Sequence, residues 1–151
     1  RNHSRAARRL SLLIVYPDTS LIVALFTDDV QTPKASAWLV EHDPDFVFST
    51  WTLAEFASAL NLQRRQGRLD DAGAERAEHL LAPLTAAPTA LVPTLPDDVV
   101  RTREVVRRLG FLRAPDALHL IVCQRIGAAM ASLDGKLNEG ADALGIPRAL
   151  P

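Results

Sequence analysis

Four acidic residues stand where predicted strands end or predicted helices begin: Asp18, Glu55, Asp116 and Asp134. Asp18 and Asp134 directly follow predicted strands, whereas Glu55 and Asp116 lie in the first turns of predicted helices. Ligands of an open parallel sheet bind beyond the carboxyl ends of its strands. Carboxylates that gather there repel one another, which raises their pKa values or requires a cation. An all-oxygen site favours Mg²⁺ or Mn²⁺ over zinc, and such an ion can activate water for phosphodiester hydrolysis.

Each of these acids also has a purely structural explanation. Asp18 can cap a helix, and Asp134 begins an ordinary turn dipeptide. Thr52 and Glu55 match a capping box, in which the glutamate accepts a hydrogen bond from the backbone N–H of the cap residue. Asp116 stands in a first turn, where a negative charge suits the helix dipole. For each residue alone the structural explanation is the stronger one, and only the four together favour a functional site.

Strand and helix patterns alternate along the chain. Short apolar runs rich in β-branched residues predict strands that are buried on both faces. Amphipathic spacing, capping residues and closing glycines predict the helices. The predicted strands are 12–16, 46–48, 90–92 and 128–133, and the predicted helices are 21–26, 32–40, 52–66, 70–83, 96–110, 115–126 and 136–144. This alternation predicts an α/β domain built around a mostly parallel sheet.

The composition fits one compact domain. The chain has 151 residues, of which 48% are hydrophobic and 23% are charged, and its net charge is −1. Four arginines without a single acid make residues 1–9 basic, so we predict a tail over residues 1–11, disordered or foreign to the native protein, before a single domain over 12–151. One cysteine excludes an internal disulfide. No run approaches the roughly 18 to 20 apolar residues of a membrane span, so we expect a cytoplasmic protein without a membrane partner.

Basic residues near the acids allow two interpretations. Arg64, Arg65 and Arg68 end a predicted helix, where cations suit the dipole, but the same side chains could also hold RNA phosphates. His119 lies one turn after Asp116 and faces roughly the same way. We favour a packed histidine that supports the site over a proton shuttle.

Four segments, in order, resemble the motifs of PIN domains, and among them most closely the VapC-type toxins of bacterial toxin–antitoxin pairs. The segments are Tyr16-Pro-Asp-Thr-Ser20, Thr52-Leu-Ala-Glu-Phe56, Ala114-Pro-Asp-Ala-Leu-His-Leu120 and Ala131-Ser-Leu-Asp134. The resemblance spans nearly the whole chain, from about residue 12 to residue 150. It implies a three-layer α/β/α sandwich and a Mg²⁺- or Mn²⁺-dependent endoribonuclease. It also implies a homodimer that a cognate antitoxin keeps inactive.

The resemblance further implies roles for individual residues. Asp18 and Asp116 would bind the metal directly, and Glu55 and Asp134 would complete the acidic pocket as ligands or by orienting the attacking water. The hydroxyl residues implied to support this cluster are Ser20 and Ser132. The sequence departs from the commonest pattern at Pro17, where another apolar residue is usual, and at Gly135-Lys136, where a basic residue often follows the fourth acid at once. The second departure concerns the surroundings of Asp134 and removes no ligand.

Two other functions stay open on the sequence. One is a non-catalytic α/β module that binds RNA or a protein and uses its acids only as caps. The other is a phosphatase of the haloacid-dehalogenase type, which also begins with an acid after the first strand. That family needs a second acid two residues later, and Ser20 occupies this position. The phosphatase is therefore the weaker alternative.

Overall fold

The computed structural model describes residues 14–150. Its strands are β1 (Ile14–Pro17), β2 (Asp45–Phe46), β3 (Phe48–Ser49), β4 (Leu91–Val92) and β5 (Ala129–Ala131). Its helices are α1 (Thr19–Phe26), α2 (Thr32–His42), α3 (Thr50–Arg65), α4 (Asp71–Thr85), α5 (Pro96–Arg108), α6 (Ala114–Arg125) and α7 (Gly135–Ala143). The predicted tail over residues 1–11, and the start of the first predicted strand, lie outside the described residues.

Every strand pairing in the described chain is parallel. β1 lies between β2 and β5, and β3 pairs with β4. Val47 alone separates β2 from β3, and its N–H donates to the carbonyl of Val15 at 2.9 Å. The predicted strand 46–48 is therefore two short strands, because the chain turns at Val47 from β1 towards β4.

Helices cover both faces of β1 and β5. Tyr16 and Met130 point to one face and pack with α5, α6 and α7. Val15 and Ala131 point to the opposite face and pack with α1 and α2. This alternation is the period of two that a strand imposes on its side chains. The result is a three-layer α/β/α sandwich, as the sequence predicted, with α3 and α4 packed beside α1 around β3.

The start of α3 corrects the capping-box interpretation of Glu55. The N-cap is Ser49, whose hydroxyl accepts from the N–H of Thr52 at 3.2 Å. The Thr52 hydroxyl in turn accepts from the N–H of Ser49 at 3.3 Å. Because Thr52 already lies inside the helix, the predicted box of Thr52 and Glu55 is wrong. The Glu55 carboxylate is thereby left to other partners.

A buried ion pair ties α5 to α6. Asp98 is fully buried and accepts from Nε and Nη2 of Arg125 at 2.8 and 2.9 Å, and from the N–H of Leu95 at 2.8 Å. Arg125 also donates to the carbonyl of Pro93 at 2.8 Å. These bonds join the beginning of α5 to the end of α6, the helix that carries Asp116. Within residues 14–150, no helix is both long and apolar enough to cross a membrane.

Candidate active site

Asp18 directly follows β1. It caps the next helix and also forms hydrogen bonds with two serine hydroxyls. Its side chain caps α1 by accepting from the N–H of Leu21 at 3.1 Å. The Ser20 hydroxyl lies 2.8 and 2.9 Å from the two carboxylate oxygens, and the Ser132 hydroxyl donates to Oδ2 at 2.8 Å. Only 5% of Asp18 is exposed. Both serines that the resemblance singled out therefore form hydrogen bonds with Asp18.

Backbone amides orient both hydroxyls. The N–H of Leu133 donates to Oγ of Ser20 at 3.2 Å, and the N–H of Asp134 donates to Oγ of Ser132 at 2.9 Å. Since each hydroxyl oxygen already accepts a hydrogen bond, its own proton is available to Asp18. The loop after β5 therefore supplies one donor to Asp18, the Ser132 hydroxyl, and orients a second, the Ser20 hydroxyl of α1.

Burial raises the pKa of Asp18, although the charge of His119 and the hydrogen bonds from Ser132, Ser20 and the backbone oppose the shift. The dominant cause is removal of the carboxylate from water, which disfavours its charged form. Ionised Asp18 would therefore be stabilised further by a cation beside it.

Glu55 binds a buried histidine. Its Oε2 accepts from Oγ1 of Thr19 at 2.8 Å and from Nε2 of His119 at 2.5 Å. The Glu55 side chain is 24% exposed, whereas that of His119 is only 2% exposed. Burial alone would raise the pKa of Glu55, but the hydrogen bond and charge of His119, together with Thr19 and Arg113, lower it overall. Glu55 is therefore a carboxylate held in its ionised form at the edge of solvent.

A second set of buried hydroxyls holds the other side of His119. Nδ1 lies 2.8 Å from the hydroxyl of Tyr16, which is itself 2.7 Å from Oγ of Ser49 and 3.1 Å from Oγ1 of Thr52. Burial raises the pKa of Tyr16, so its phenol stays protonated. His119 is thus packed in the interior, with both ring nitrogens within hydrogen-bonding distance of a partner. Tyr16 was missed, because the sequence shows it only as one member of an apolar strand.

The other two acids have partners of their own. Oδ2 of Asp116 accepts from Nε of Arg113 at 3.2 Å. Oδ1 of Asp134 accepts from the N–H groups of Lys136 and Leu137 at 2.8 and 3.1 Å and thus caps α7. Asp134 therefore has the structural role that the sequence left open for it. Arg113 is 78% exposed beside Asp116 and was not singled out from the sequence.

The four acids do not form a compact ligand cluster. Within the described residues, no three His, Cys, Asp or Glu side chains are grouped so that they could hold a metal ion. Asp18 and Glu55 instead accept hydrogen bonds from separate groups: from two serines at Asp18, and from a threonine and a histidine at Glu55. The donor chemistry still suits a hard divalent cation, because it consists of carboxylates, one of them buried with a raised pKa, and hydroxyls. The carboxylate and hydroxyl oxygens are therefore of the kind that binds such an ion. In this structure Asp116 instead pairs with Arg113, and Glu55 pairs with His119.

A cleft opens beside this network. It has a volume of about 380 Å³, and its lining includes Thr19, Ser20, Asp29, Ala59 and Asp134. This volume lies within the range of pockets that take small ligands. Two residues of the hydrogen-bond network, Thr19 and Ser20, thus face an open space that could take part of a substrate.

The arginines proposed from the sequence for RNA contacts lie at the far end of α3. Nε of Arg64 donates to Oδ1 of Asp71 at 2.7 Å, and Nη1 donates to Asn61 at 3.1 Å. Arg64 therefore helps to close the turn between α3 and α4. Arg65 and Arg68 are exposed.

Comparisons with known proteins identify the family. The sequence model of the PIN domain matches residues 15–143. No curated protein sequence matches significantly. A similar solved structure is that of VapC20 of Mycobacterium tuberculosis, described as a sarcin–ricin loop cleaving toxin. The two sequences are 21% identical and the TM-score is 0.68. The match covers 91% of this chain and 99% of the VapC20 chain. The chain belongs to the PIN domain family.

Other solved structures share the fold. PAE2754 of Pyrobaculum aerophilum has 19% identity, a TM-score of 0.63 and coverage of 85% of this chain and 80% of its own. FitAcB of Neisseria gonorrhoeae has 17% identity, a TM-score of 0.60 and coverage of 89% of this chain and 95% of its own. At these identities the likeness establishes the fold alone. The phosphatase alternative has no support from these comparisons.

Proposed function

We propose that this chain is a Mg²⁺- or Mn²⁺-dependent endoribonuclease and the toxin of a toxin–antitoxin pair. The observation that carries the proposal is the buried carboxylate of Asp18, which lies at the end of a central parallel strand with two oriented hydroxyls beside a cleft. Membership of the PIN domain family and the fold shared with VapC20 support the same activity.

The proposed metal ligands are Asp18 and Asp116, with Glu55 and Asp134 as further ligands or as groups that orient water. When bound, the ion would lower the pKa of a water molecule and neutralise charge on the phosphodiester. Ser20 and Ser132 act on the protein side by donating to Asp18, which favours its ionised form against the opposing effect of burial. Glu55, whose pKa is lowered, stays ionised and can bind the ion or orient water.

Partners form part of the proposal. We expect a homodimer, and a cognate antitoxin whose tail inserts an arginine near Asp18 and Asp116, because Arg pairs with carboxylates in a bidentate manner. The exposed Arg65 and Arg68 remain proposed contacts for RNA phosphates, with Arg64 a weaker third because Asp71 engages it.

A second function is favoured by one specific observation. Asp18 and Asp134 both cap helices, and within residues 14–150 no ready group of metal ligands is present. A non-catalytic module that binds RNA or protein would have these properties, with its acids serving structure alone.

Cleavage of total RNA separates the two functions. The proposed enzyme should cut RNA with Mg²⁺ or Mn²⁺ but not with EDTA, and should leave 5′-phosphate and 3′-hydroxyl ends, because the attacking group is water rather than a ribose hydroxyl. Asp18→Asn should abolish the cleavage, whereas replacement of the exposed Asp28 by Asn should not. Cleavage that persists in EDTA, or 2′,3′-cyclic phosphate ends, would exclude this mechanism, and binding without cleavage would favour the module.

A further inference from the structure

Both hydrogen-bond donors to Glu55 reach the same oxygen. Thr19 donates to Oε2 at 2.8 Å and His119 lies 2.5 Å from it. Oε1 receives no hydrogen bond from any residue between 14 and 150. The carboxylate is thus held by the protein through Oε2, and Oε1 can form hydrogen bonds with a ligand.

The surroundings of His119 determine where its proton lies. A neutral histidine with its proton on Nδ1 would turn the lone pair of Nε2 towards the Glu55 carboxylate, which is repulsive. Two arrangements remain: a neutral ring that accepts from the Tyr16 hydroxyl at Nδ1, or a charged ring that donates at both nitrogens. In both of them Nε2 carries a proton and donates to Glu55. The donation therefore does not depend on the charge of the ring.

Three elements of the fold meet in this network. Tyr16 comes from β1, His119 from α6, and Glu55 and Thr52 from α3, which Ser49 at the end of β3 caps. The rings of Tyr16 and His119 meet edge to face with centroids 5.7 Å apart. Because Tyr16 and His119 are almost wholly buried, neither ring can turn without breaking hydrogen bonds that water cannot replace.

We infer that His119 is a positioning residue: held by Tyr16, it fixes Oε2 of Glu55 and directs Oε1 towards the reacting groups. This inference rests on the proposed function for what Oε1 does, but the geometry of His119 is a property of the protein alone. Misplacement of a catalytic group by about 1 Å can lower a rate on the order of 100-fold. The role of His119 should therefore appear in kcat rather than in substrate binding.

Paired substitutions test the inference on an RNA oligonucleotide that spans a cleavage site mapped in total RNA. His119→Phe keeps a ring but removes both nitrogens, and we expect kcat to fall about 10- to 100-fold with KM nearly unchanged. His119→Gln keeps an N–H donor for Glu55 and an acceptor for Tyr16, and should restore most of the lost rate. The same pair of changes at His79, which is exposed on α4, is the matched control and should have no effect.

A variant that fails to fold does not end the test. Should His119→Phe be unfolded, His119→Asn offers a polar amide too short to span Tyr16 and Glu55, and its kcat should fall while that of His119→Gln does not. Wild-type kcat in a folded Phe or Asn variant would overturn the inference. Equal losses in the Gln, Asn and Phe variants, with matching losses of stability, would also overturn it by showing a packing role alone.

A second measurement requires no activity. In ¹⁵N-histidine-labelled, metal-free protein, the Nε2 signal of His119 should be that of a protonated ring nitrogen, with a resolved coupling to a slowly exchanging proton. Replacement of Tyr16 by Phe should speed that exchange. An unprotonated Nε2 would refute the inference even if RNA is cleaved. Conversely, a chain that cleaves no RNA but shows the protonated Nε2 would lose the proposed function while its histidine geometry stands.

Discussion

Asp18 combines two opposing requirements. The carboxylate is removed from water, which disfavours its charge, yet Leu21, Ser20 and Ser132 all offer it hydrogen bonds that suit the charged form. The balance leaves the pKa of Asp18 raised. A helix cap that stands in water would not incur this cost of burial.

Replacement of Asp18 by Asn should therefore raise the thermal stability of the metal-free protein at pH values above the raised pKa of Asp18. The change removes the buried charge but leaves one serine proton without an acceptor, which costs about 1 kcal/mol. We expect a net gain of about 1 kcal/mol, or roughly 2–4 °C in Tm for a domain of this size. Melting curves in EDTA measure it, with Asp28→Asn as the exposed control. A mutant that melts below the parent would mark Asp18 as a cap alone, because losing a cap costs about 0.5–2 kcal/mol.

The pH dependence of stability follows from the same shifts. Because the folded state raises the pKa of Asp18, the metal-free protein should become more stable as pH falls through that raised pKa, down to about 4, the unfolded value. Glu55 acts with the opposite sign, since its pKa is lowered: its contribution is present above the unfolded value of about 4.3 and is lost as pH falls through the folded pKa. Asp18→Asn should remove the first trend and leave the second. Denaturation at a series of pH values tests this, and identical profiles for both proteins would contradict it.

The helix α6 brings Asp116 and His119 to the site, and its far end is held by the pair of Asp98 and Arg125. Asp98 lies at the beginning of α5 and also accepts from the N–H of Leu95. This single carboxylate therefore satisfies a helix terminus and an arginine at once. Such pairs connect elements that packing alone would allow to shift.

Asp98→Ala should destabilise the protein strongly. Removal of one partner of a buried ion pair typically costs about 3–5 kcal/mol. Arg125 is 27% exposed and can turn towards water, so we expect the lower end of this range, and the N–H of Leu95 also loses its acceptor. Asp97, the exposed neighbour in the same helical turn, is the matched control, and its replacement by Ala should cost no more than about 1 kcal/mol. Urea denaturation followed by circular dichroism measures both. Equal effects of the two changes would show that the ion pair contributes nothing beyond the helix dipole.

Binding of a metal ion should raise the free energy of unfolding of the whole domain. If the native state binds Mn²⁺ and the unfolded chain does not, an excess of a hundredfold over Kd stabilises the protein by about 2.7 kcal/mol. Asp18→Asn should lose most of this gain, whereas Asp28→Asn should keep it. Calorimetric melting with Mn²⁺ and with EDTA provides the comparison. A parent protein whose Tm ignores Mn²⁺ would support the non-catalytic module.

Local patterns in the sequence were enough to predict the order of strands and helices, and to place the four acids at the ends of strands or near the beginnings of helices. Apolar runs and helical spacing depend on neighbours within a few residues, so the order of strands and helices and the parallel sheet followed from them. The beginning of α3 did not: Thr52 and Glu55 match the capping pattern, which has Glu or Gln three residues after the cap, better than Ser49 and Thr52 do, yet Ser49 is the cap. Ser49 ends the strand β3, which pairs with β4, and the helix begins directly after it.

The partners of each functional side chain depend on contacts across the fold. Glu55 and His119 are separated by 64 positions, Tyr16 and His119 by 103, and Asp18 and Ser132 by 114. No periodicity or capping rule reaches over such distances. The packing of α3 and α6 against β1 brings these groups within hydrogen-bonding distance. For this reason the types of the site residues could be predicted from the chain, whereas the histidine that holds Glu55 and the serines that hold Asp18 gained their geometry from the assembled sandwich.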